Sequence, residues 1–148
     1  MKKVIMIVGV MLLGCSVEEV KPKSKIFYMI DPSAFEYVLD FQKDIESIGL
    51  ALENDNISFS VILGELPSGV AGIAIGMFNP YCVNIILDEA IWRLLDRSER
   101  KALVYHELAH DVFELHHNTC DIMSGSLRGI TDDMIRELLD TLAKHQNK

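Results

Sequence analysis

Two histidines and one glutamate in the C-terminal half of the sequence are spaced for metal chemistry. His106, Glu107 and His110 form the pattern His-Glu-x-x-His. On an α-helix, side chains four residues apart lie on one face at roughly 6 Å, so both imidazoles can reach one tetrahedral Zn²⁺. Glu107 then lies beside the metal, where it can take a proton from a zinc-bound water. The pattern therefore predicts the catalytic centre of a zinc-dependent peptidase.

Chance accounts poorly for this pattern. A random chain of this length and composition, with five histidines, would contain about 0.01 copies of it. The competing interpretation is an exposed helix that happens to carry two histidines. That interpretation predicts a folded domain with no stoichiometric metal.

A third metal ligand has to come from beyond the helix, because the next helical turn lies too far from the metal. His116 and His117 follow the first histidine by ten and eleven residues. Asn118, which comes next, tolerates the left-handed conformation that a chain reversal requires. Glu114, four residues after His110, is a further but less favoured candidate.

The sequence around these residues resembles the metzincin clan of zinc peptidases. The clan pattern is H-E-x-x-H-x-x-G-x-x-H followed by a turn that contains Met. Asp121-Ile122-Met123-Ser124 looks like this Met-turn. Four residues match the rest of the pattern position for position: His106, Glu107, His110 and His116.

The resemblance implies a catalytic centre with one Zn²⁺ per chain and a peptide or protein as substrate. Glu107 is then the catalytic base, and Met123 forms a hydrophobic floor beneath the histidines without binding metal. One of the glycine-rich strands expected between 70 and 87 could align the extended substrate, with a core hairpin that has glycines at bulges as the alternative. Asp111 is expected to be a solvated helix residue, with support of a ligand imidazole as the alternative.

The sequence departs from the metzincin pattern at two places. The glycine of the pattern is Phe113 here, and a bulky aromatic residue does not readily adopt positive φ. We therefore expect the helix to continue for a residue or more, which favours His117 as the third ligand, with His116 as the alternative. No tyrosine follows Met123, so the hydroxyl that some metzincins place near the developing oxyanion is not evident.

The N-terminus is typical of a secretory signal. Lys2 and Lys3 precede an apolar run at 4–13, which is too short for a permanent membrane-spanning helix. The ending Leu12-Leu13-Gly14-Cys15 resembles the lipobox of bacterial lipoproteins, which implies that Cys15 becomes the lipid-bearing first residue. We expect 1–14 to be a signal peptide and the protein to be lipid-anchored in the bacterial periplasm or at the outer membrane or cell surface. An ordinary signal with an accidental cysteine, or an N-terminal anchor, is the alternative.

The remaining chain is strongly acidic. Without residues 1–14 it has 12 basic and 22 acidic side chains, a formal charge of −10. This charge argues against nucleic acid and anionic lipid as direct partners, so the membrane would be reached through acyl chains. Residues 15–25 contain little to bury and are expected to form a flexible tether.

Residues 26–148 are long enough for one domain with a modest core. The expected fold is α+β, with a small mixed sheet packed on helices, and by resemblance it is a metzincin-like zinc peptidase domain with a zinc-binding helix, a Met-turn and a C-terminal helix. The alternation of apolar residues predicts strands at 26–30, 57–63, 70–78 and 81–87. The last two strands are expected to join by a tight turn at Asn79-Pro80. Helices are expected to begin near Ser33, which has capping-box spacing to Glu36, and at Asp88, Ser98 and Thr131.

Three cysteines are present, and their roles differ. If Cys15 is acylated, Cys82 and Cys120 remain in an oxidising compartment, where they could pair. Buried free thiols are the expected outcome. Zinc ligation by Cys120 is disfavoured, because a closed shell of four ligands leaves no position for water.

Two functions from different classes follow from these residues. The first is a zinc-dependent metallopeptidase that hydrolyses peptide bonds through a water activated by Glu107. The alternative is a non-catalytic zinc-binding lipoprotein that acts as an interaction or metal-handling module. The alternative retains zinc but leaves peptides intact.

Overall fold

The computed structural model describes residues 27–52, 58–76, 82–125 and 129–145. The described part is α+β, as expected, with one mixed sheet of four strands and four α-helices. The strands are β1 (Phe27–Ile30), β2 (Ser58–Gly64), β3 (Gly72–Ala74) and β4 (Cys82–Asp88). The helices are α1 (Phe35–Glu46), α2 (Glu89–Leu94), α3 (Arg97–Phe113) and α4 (Asp132–His145), with a 3₁₀ turn at Asp121–Met123 between the last two.

The sheet has the strand order β1-β2-β4-β3. β1, β2 and β4 run parallel, and β3 pairs antiparallel with β4 at the edge. The central strands bury alternate side chains, as the period-two pattern predicts: Phe59 and Val61 on β2, and Val83, Ile85 and Leu87 on β4. The expected pairing of the strands at 70–78 and 81–87 is confirmed, but β3 covers only three residues. The predicted turn at Asn79-Pro80 lies outside the described residues.

Aromatic contacts between α1 and α3 hold the long helix in place. The Phe41 ring meets the Tyr105 ring edge-on at 5.0 Å between centroids, and lies 6.3 Å from the Phe113 ring. The Tyr105 hydroxyl donates to Asp44 Oδ2 at 2.6 Å. Because Phe41 and Tyr105 are fully buried, these contacts fix α3 along most of its length.

The prediction that Ser98 caps α3 is wrong, although the helix begins only one residue earlier, at Arg97. Asp96 is the N-cap, and it forms a capping box in which its side chain accepts from Glu99 N–H and the Glu99 side chain accepts from Asp96 N–H. Ser98 lies inside the helix, and its hydroxyl donates to Ile130 O at 3.1 Å. Ser98 therefore ties the chain before α4 to the start of α3 instead of capping the helix.

The predicted capping box at the start of α1 is also wrong. Ala34 is the N-cap, and no side chain caps this helix. The Ser33 hydroxyl instead accepts from the Trp92 indole N–H at 2.9 Å. Glu36 pairs with Arg97 at 2.7 Å. Both polar side chains are used in tertiary contacts, which spacing along the chain does not reveal.

The predicted helices at Asp88 and Thr131 are confirmed within a residue or two. The Asp88 side chain caps α2 by accepting from Ile91 N–H at 2.8 Å. The apolar stripe of α4 buries Leu138 and Leu142 completely. Glu137 on the same helix accepts from Asp121 N–H at 3.1 Å, so α4 holds the 3₁₀ turn.

The predicted signal peptide, the lipidation site Cys15 and the tether at 15–25 lie outside the described residues. Among the residues that are described, no helix is long and apolar enough to cross a membrane.

Candidate metal and catalytic site

The end of α3 brings the third histidine back towards the helix. The helix ends at Phe113, and Glu114 adopts the left-handed conformation at φ 54°, ψ 28°. Leu115 N–H then donates to Ala109 O at 3.2 Å, and Asn118, also at positive φ, donates its N–H to Met123 O at 2.9 Å. The reversal thus falls one residue after the glycine position of the metzincin pattern. In that pattern the third histidine comes three residues after the glycine. Here His117 comes three residues after Glu114, so the third histidine is also shifted by one residue.

Three imidazoles converge at this reversal. His106 Nε2 lies 3.1 Å from His110 Nε2 and 3.2 Å from His117 Nε2. One ligand nitrogen from each of the three side chains lies within 4.8 Å of the other two. Zn–N bonds of about 2.0–2.1 Å in tetrahedral geometry place ligand nitrogens about 3.3 Å apart, so the three side chains fit a zinc ion.

Backbone carbonyls fix the orientation of the two helical imidazoles. His106 Nδ1 lies 2.7 Å from Ile122 O, and His110 Nδ1 lies 2.5 Å from Leu115 O. A carbonyl oxygen can only accept, so each Nδ1 carries the proton and each neutral ring presents an Nε2 lone pair. Two lone pairs that face each other at 3.1 Å cannot hydrogen-bond to each other. A cation between them removes this conflict.

Burial keeps these imidazoles neutral. Removal from water lowers the pKa of His106 to about 4, with the neighbouring His110 and His117 adding to the effect. Burial likewise lowers the pKa of His110. Since only the neutral ring can bind a metal, the low pKa of His106 keeps its Nε2 available well below neutral pH, and the pKa of His110 is shifted in the same direction.

The other proposed ligands lie outside this cluster. His116 is exposed at the cleft, and its carbonyl accepts from Thr119 Oγ1 at 2.8 Å. Glu114 is the exposed residue that ends α3. Cys120 is a buried free thiol and Cys82 is a half-buried one, so the two do not pair. None of the four belongs to the group of three convergent ligands found among the described residues.

Glu107 is buried between α3 and the edge strand β3. Glu107 is 5% exposed, and the Ala74 backbone N–H lies near its carboxylate. Burial, together with the negative charge of Asp111, raises the pKa of Glu107 to about 7. A carboxyl group poised near neutral pH can both accept and return a proton, as a general base requires.

The expectation that Asp111 is solvated is wrong, and so is its alternative role beside an imidazole. Asp111 is 5% exposed, and its Oδ2 accepts from Asn84 N–H on β4 at 2.7 Å. Oδ1 has no hydrogen-bond partner among the described residues. Burial raises the pKa of Asp111 to about 6, although the Asn84 hydrogen bond opposes the rise. Asp111 therefore joins α3 to the sheet, and backbone carbonyls support the imidazoles.

A cleft of about 620 Å³ opens over the three histidines and Glu107. β3 and the chain before it line the cleft with small and apolar residues from Gly69 to Ala74. The 3₁₀ turn contributes Ile122, and α4 contributes Met134. The described lining contains no lysine or arginine. The cleft is thus largely apolar and is bordered on one side by an edge strand.

The spacing of residue types along the chain does not reveal the groups that orient the site. The carbonyls of Leu115 and Ile122 carry no side-chain signal. Gly72 and Gly76, which face Glu107 and Asp111, do carry a signal, because both pairs are spaced by four residues. This match becomes visible only when the two segments are known to be adjacent.

Glu114→Gly is expected to stabilise the protein by about 0.5–1 kcal/mol. An L-residue pays about 1–2 kcal/mol in the left-handed conformation, and part of the relief is offset by the greater freedom of glycine in the unfolded chain. Urea unfolding of the two proteins measures the difference. Asn118→Gly is the matched control at φ 64°, where asparagine already tolerates the conformation and the gain should be smaller. An equal gain at both positions would contradict this explanation.

Glu107→Gln is expected to stabilise the metal-free protein at pH 8 and to have little effect at pH 5. Folding raises the pKa of the Glu107 carboxyl from its ordinary value of 4.5 to about 7. The folded state therefore loses stability as the pH rises through this range, whereas glutamine does not titrate and avoids the loss. The difference between the two pH values should reach about 2–3 kcal/mol. Urea unfolding in the presence of a chelator at both pH values measures it. A gain that does not depend on pH would exclude titration of Glu107 as the cause.

Comparison with known proteins adds no family to this geometry. The chain matches no protein-family model, no curated protein and no solved structure. The function is therefore argued from the residues of the site themselves.

Proposed function

We propose that this protein is a zinc-dependent metallopeptidase that hydrolyses peptide bonds. His106, His110 and His117 would hold one Zn²⁺ per chain, and Glu107 would act as the general base. The sequence pattern at these positions and the resemblance to metzincins agree with this assignment. His116 is the alternative third ligand from the sequence, but its exclusion from the convergent group favours His117.

The observation that carries the proposal is the convergence of the imidazole Nε2 atoms. The carbonyls of Ile122 and Leu115 hold the protons on Nδ1, so the unprotonated nitrogens of His106 and His110 face each other. A buried pair of acceptors with no proton between them is unfavourable in the absence of a cation. The buried Glu107 carboxylate lies beside this pair of imidazoles, which supports a hydrolytic role for the site over a purely structural one.

The chemistry of the site follows from its donor set. The three imidazoles would hold a zinc ion, which would supply Lewis acidity for a water and for a peptide carbonyl. Glu107 would accept the proton of the attacking water at its carboxylate and deliver it to the leaving amine. The low exposure of Glu107 would keep bulk water away from both transfers.

The expected substrate is an extended peptide. β3 is an edge strand that lines the cleft, and the backbone of such a strand can pair with an incoming peptide. The apolar lining, with no lysine or arginine among its described residues, favours neutral or apolar side chains over acidic ones.

The cellular setting is proposed from the sequence alone. Lipidation of Cys15 would anchor the domain to a membrane outside the cytoplasm, in the bacterial periplasm or at the outer membrane or cell surface.

The buried Met123 would correspond to the methionine of a Met-turn. Its full burial, together with the hydrogen bond from Asn118 N–H to Met123 O, is compatible with that role.

Purified full-length protein is expected to contain one zinc per chain. His106→Ala and His117→Ala should each lose most of it, because two imidazoles bind zinc far more weakly than three. His116→Ala is the matched control and should retain the metal. Elemental analysis after dialysis measures the content. Loss in His116→Ala with retention in His117→Ala would assign the third ligand to His116, and absence of zinc from folded wild type after reloading would reject the metal site.

Zinc-loaded wild type is expected to cleave members of a quenched fluorescent peptide library. Glu107→Gln should retain zinc and lower kcat by about 10²–10⁴-fold, because the general base is removed while the ligands remain. Glu114→Gln, which neutralises an exposed carboxylate near the same helix end, should leave kcat unchanged. Bound zinc without cleavage by wild type would reject the peptidase and support the non-catalytic zinc-binding lipoprotein.

A further inference from the structure

We infer that Gly72 is a positioning residue for Glu107, because the space left by its missing side chain is the space that the carboxylate occupies. The catalytic consequence rests on the proposed peptidase function, whereas the contact itself is a property of the metal-free fold. Gly72 lies on β3, and Glu107 lies on α3.

The contact is unusually close. A Cβ built on Gly72 would lie 2.6 Å from Glu107 Oε1 and 2.9 Å from both Cδ and Cγ. These are the three nearest atoms to the added carbon, so any side chain here displaces Glu107 first. Glu107 is 5% exposed and cannot move into water without leaving its buried position. A methyl group at position 72 therefore forces the carboxylate away from its present place.

The register of the edge strand explains why Gly72 and Ala74 act together. Ala71 O accepts from Asp88 N–H, and Ile75 N–H donates to Asn84 O, so these groups point towards β4. Main-chain groups alternate along a strand, so those of Gly72 and Ala74 point away from β4. Ala74 N–H meets the Glu107 carboxylate on that side. One residue provides the space for the carboxylate, and the other presents a backbone N–H towards it.

A second glycine repeats the arrangement one helical turn further along. A Cβ on Gly76 would lie 2.5 Å from Asp111 Oδ1, and Asp111 is hydrogen-bonded to Asn84 N–H on β4. Two carboxylates four residues apart on α3 thus lie against two glycines four residues apart along the edge of the sheet. The Asp111 contact keeps this edge against the helix, which holds Gly72 and Ala74 beside Glu107. The edge strand and the helix together determine where the base lies.

Gly72 offers a cleaner test than Gly76. A Cβ on Gly76 would also lie 2.1 Å from the Cys82 backbone oxygen, so substitution there would disturb the backbone itself. Gly125 is the matched control. It lines the same cleft, and a Cβ there meets nothing within 4 Å.

The primary test is a double-mutant cycle on the metal-free full-length chain. Gly72→Ala should lower the midpoint of thermal unfolding when Glu107 is present, because the methyl group and the carboxylate compete for one space. In the Glu107→Ala background the same change should leave the midpoint unchanged or raise it, since alanine restricts the unfolded chain more than glycine does. Gly125→Ala should have the same small effect in both backgrounds.

An equal loss from Gly72→Ala in both backgrounds would overturn the inference. If Gly72→Ala does not fold, folding of the Gly72→Ala/Glu107→Ala double variant would support the inference, and failure of both would overturn it. These outcomes do not depend on zinc or on hydrolysis.

The second test separates positioning from a structural effect. In zinc-loaded protein at a temperature where every variant is folded, Gly72→Ala should lower kcat by about 10²-fold, with KM and zinc content unchanged. An unchanged kcat in Gly72→Ala would overturn the positioning role. If wild type itself cleaves no peptide, the proposed function fails, and the thermal cycle alone decides whether Glu107 occupies the space at Gly72.

Discussion

The arrangement of the site depends on two hydrogen bonds from imidazole to backbone. Ile122 O and Leu115 O each hold an Nδ1 proton, and this sets both the tautomer and the rotation of His106 and His110. Both acceptors belong to the chain that follows α3. The residues that reverse the chain therefore also orient the ligands on the helix, and ligand geometry cannot be separated from the path of the chain after Phe113.

The surrounding fold keeps that path in place. Asp121 N–H is held by Glu137 on α4, and Ile130 O accepts from Ser98 near the start of α3. The chain thus leaves the end of α3, passes through the 3₁₀ turn and returns to the beginning of the same helix. Aromatic contacts from α1 also prevent α3 from rotating about its axis. The histidines are consequently positioned from both ends of one helix.

The sequence predicted what depends on local spacing. The α+β class, the helix under His106 and His110, and the short helix capped by Asp88 all follow from periodicity and capping preferences. Replacement of the pattern glycine by Phe113 also led to the expectation of a longer helix, because a left-handed aromatic residue is costly. The structure has the reversal at Glu114.

The sequence could not predict contacts made across the fold. Ser33 and Ser98 have the residue type and spacing of helix caps, yet their hydroxyl groups serve Trp92 and Ile130. Asp111 has the appearance of an exposed helix residue, but it is buried because Asn84 of β4 supplies an N–H at the right place. In each case a partner distant in sequence outcompetes the local preference.

The three imidazoles of the proposed zinc site differ in their exposure to solvent. His110 is buried and His106 is half-buried on α3, whereas His117 is exposed in the chain that follows the helix. In the proposed site the helical pair would form a preorganised bidentate chelator, and His117 would complete the coordination from the solvent side. Release of a bound ion would then require only a local opening of the residues around His117, with the sheet and α1 intact. Metal exchange and global unfolding would therefore be separate kinetic events.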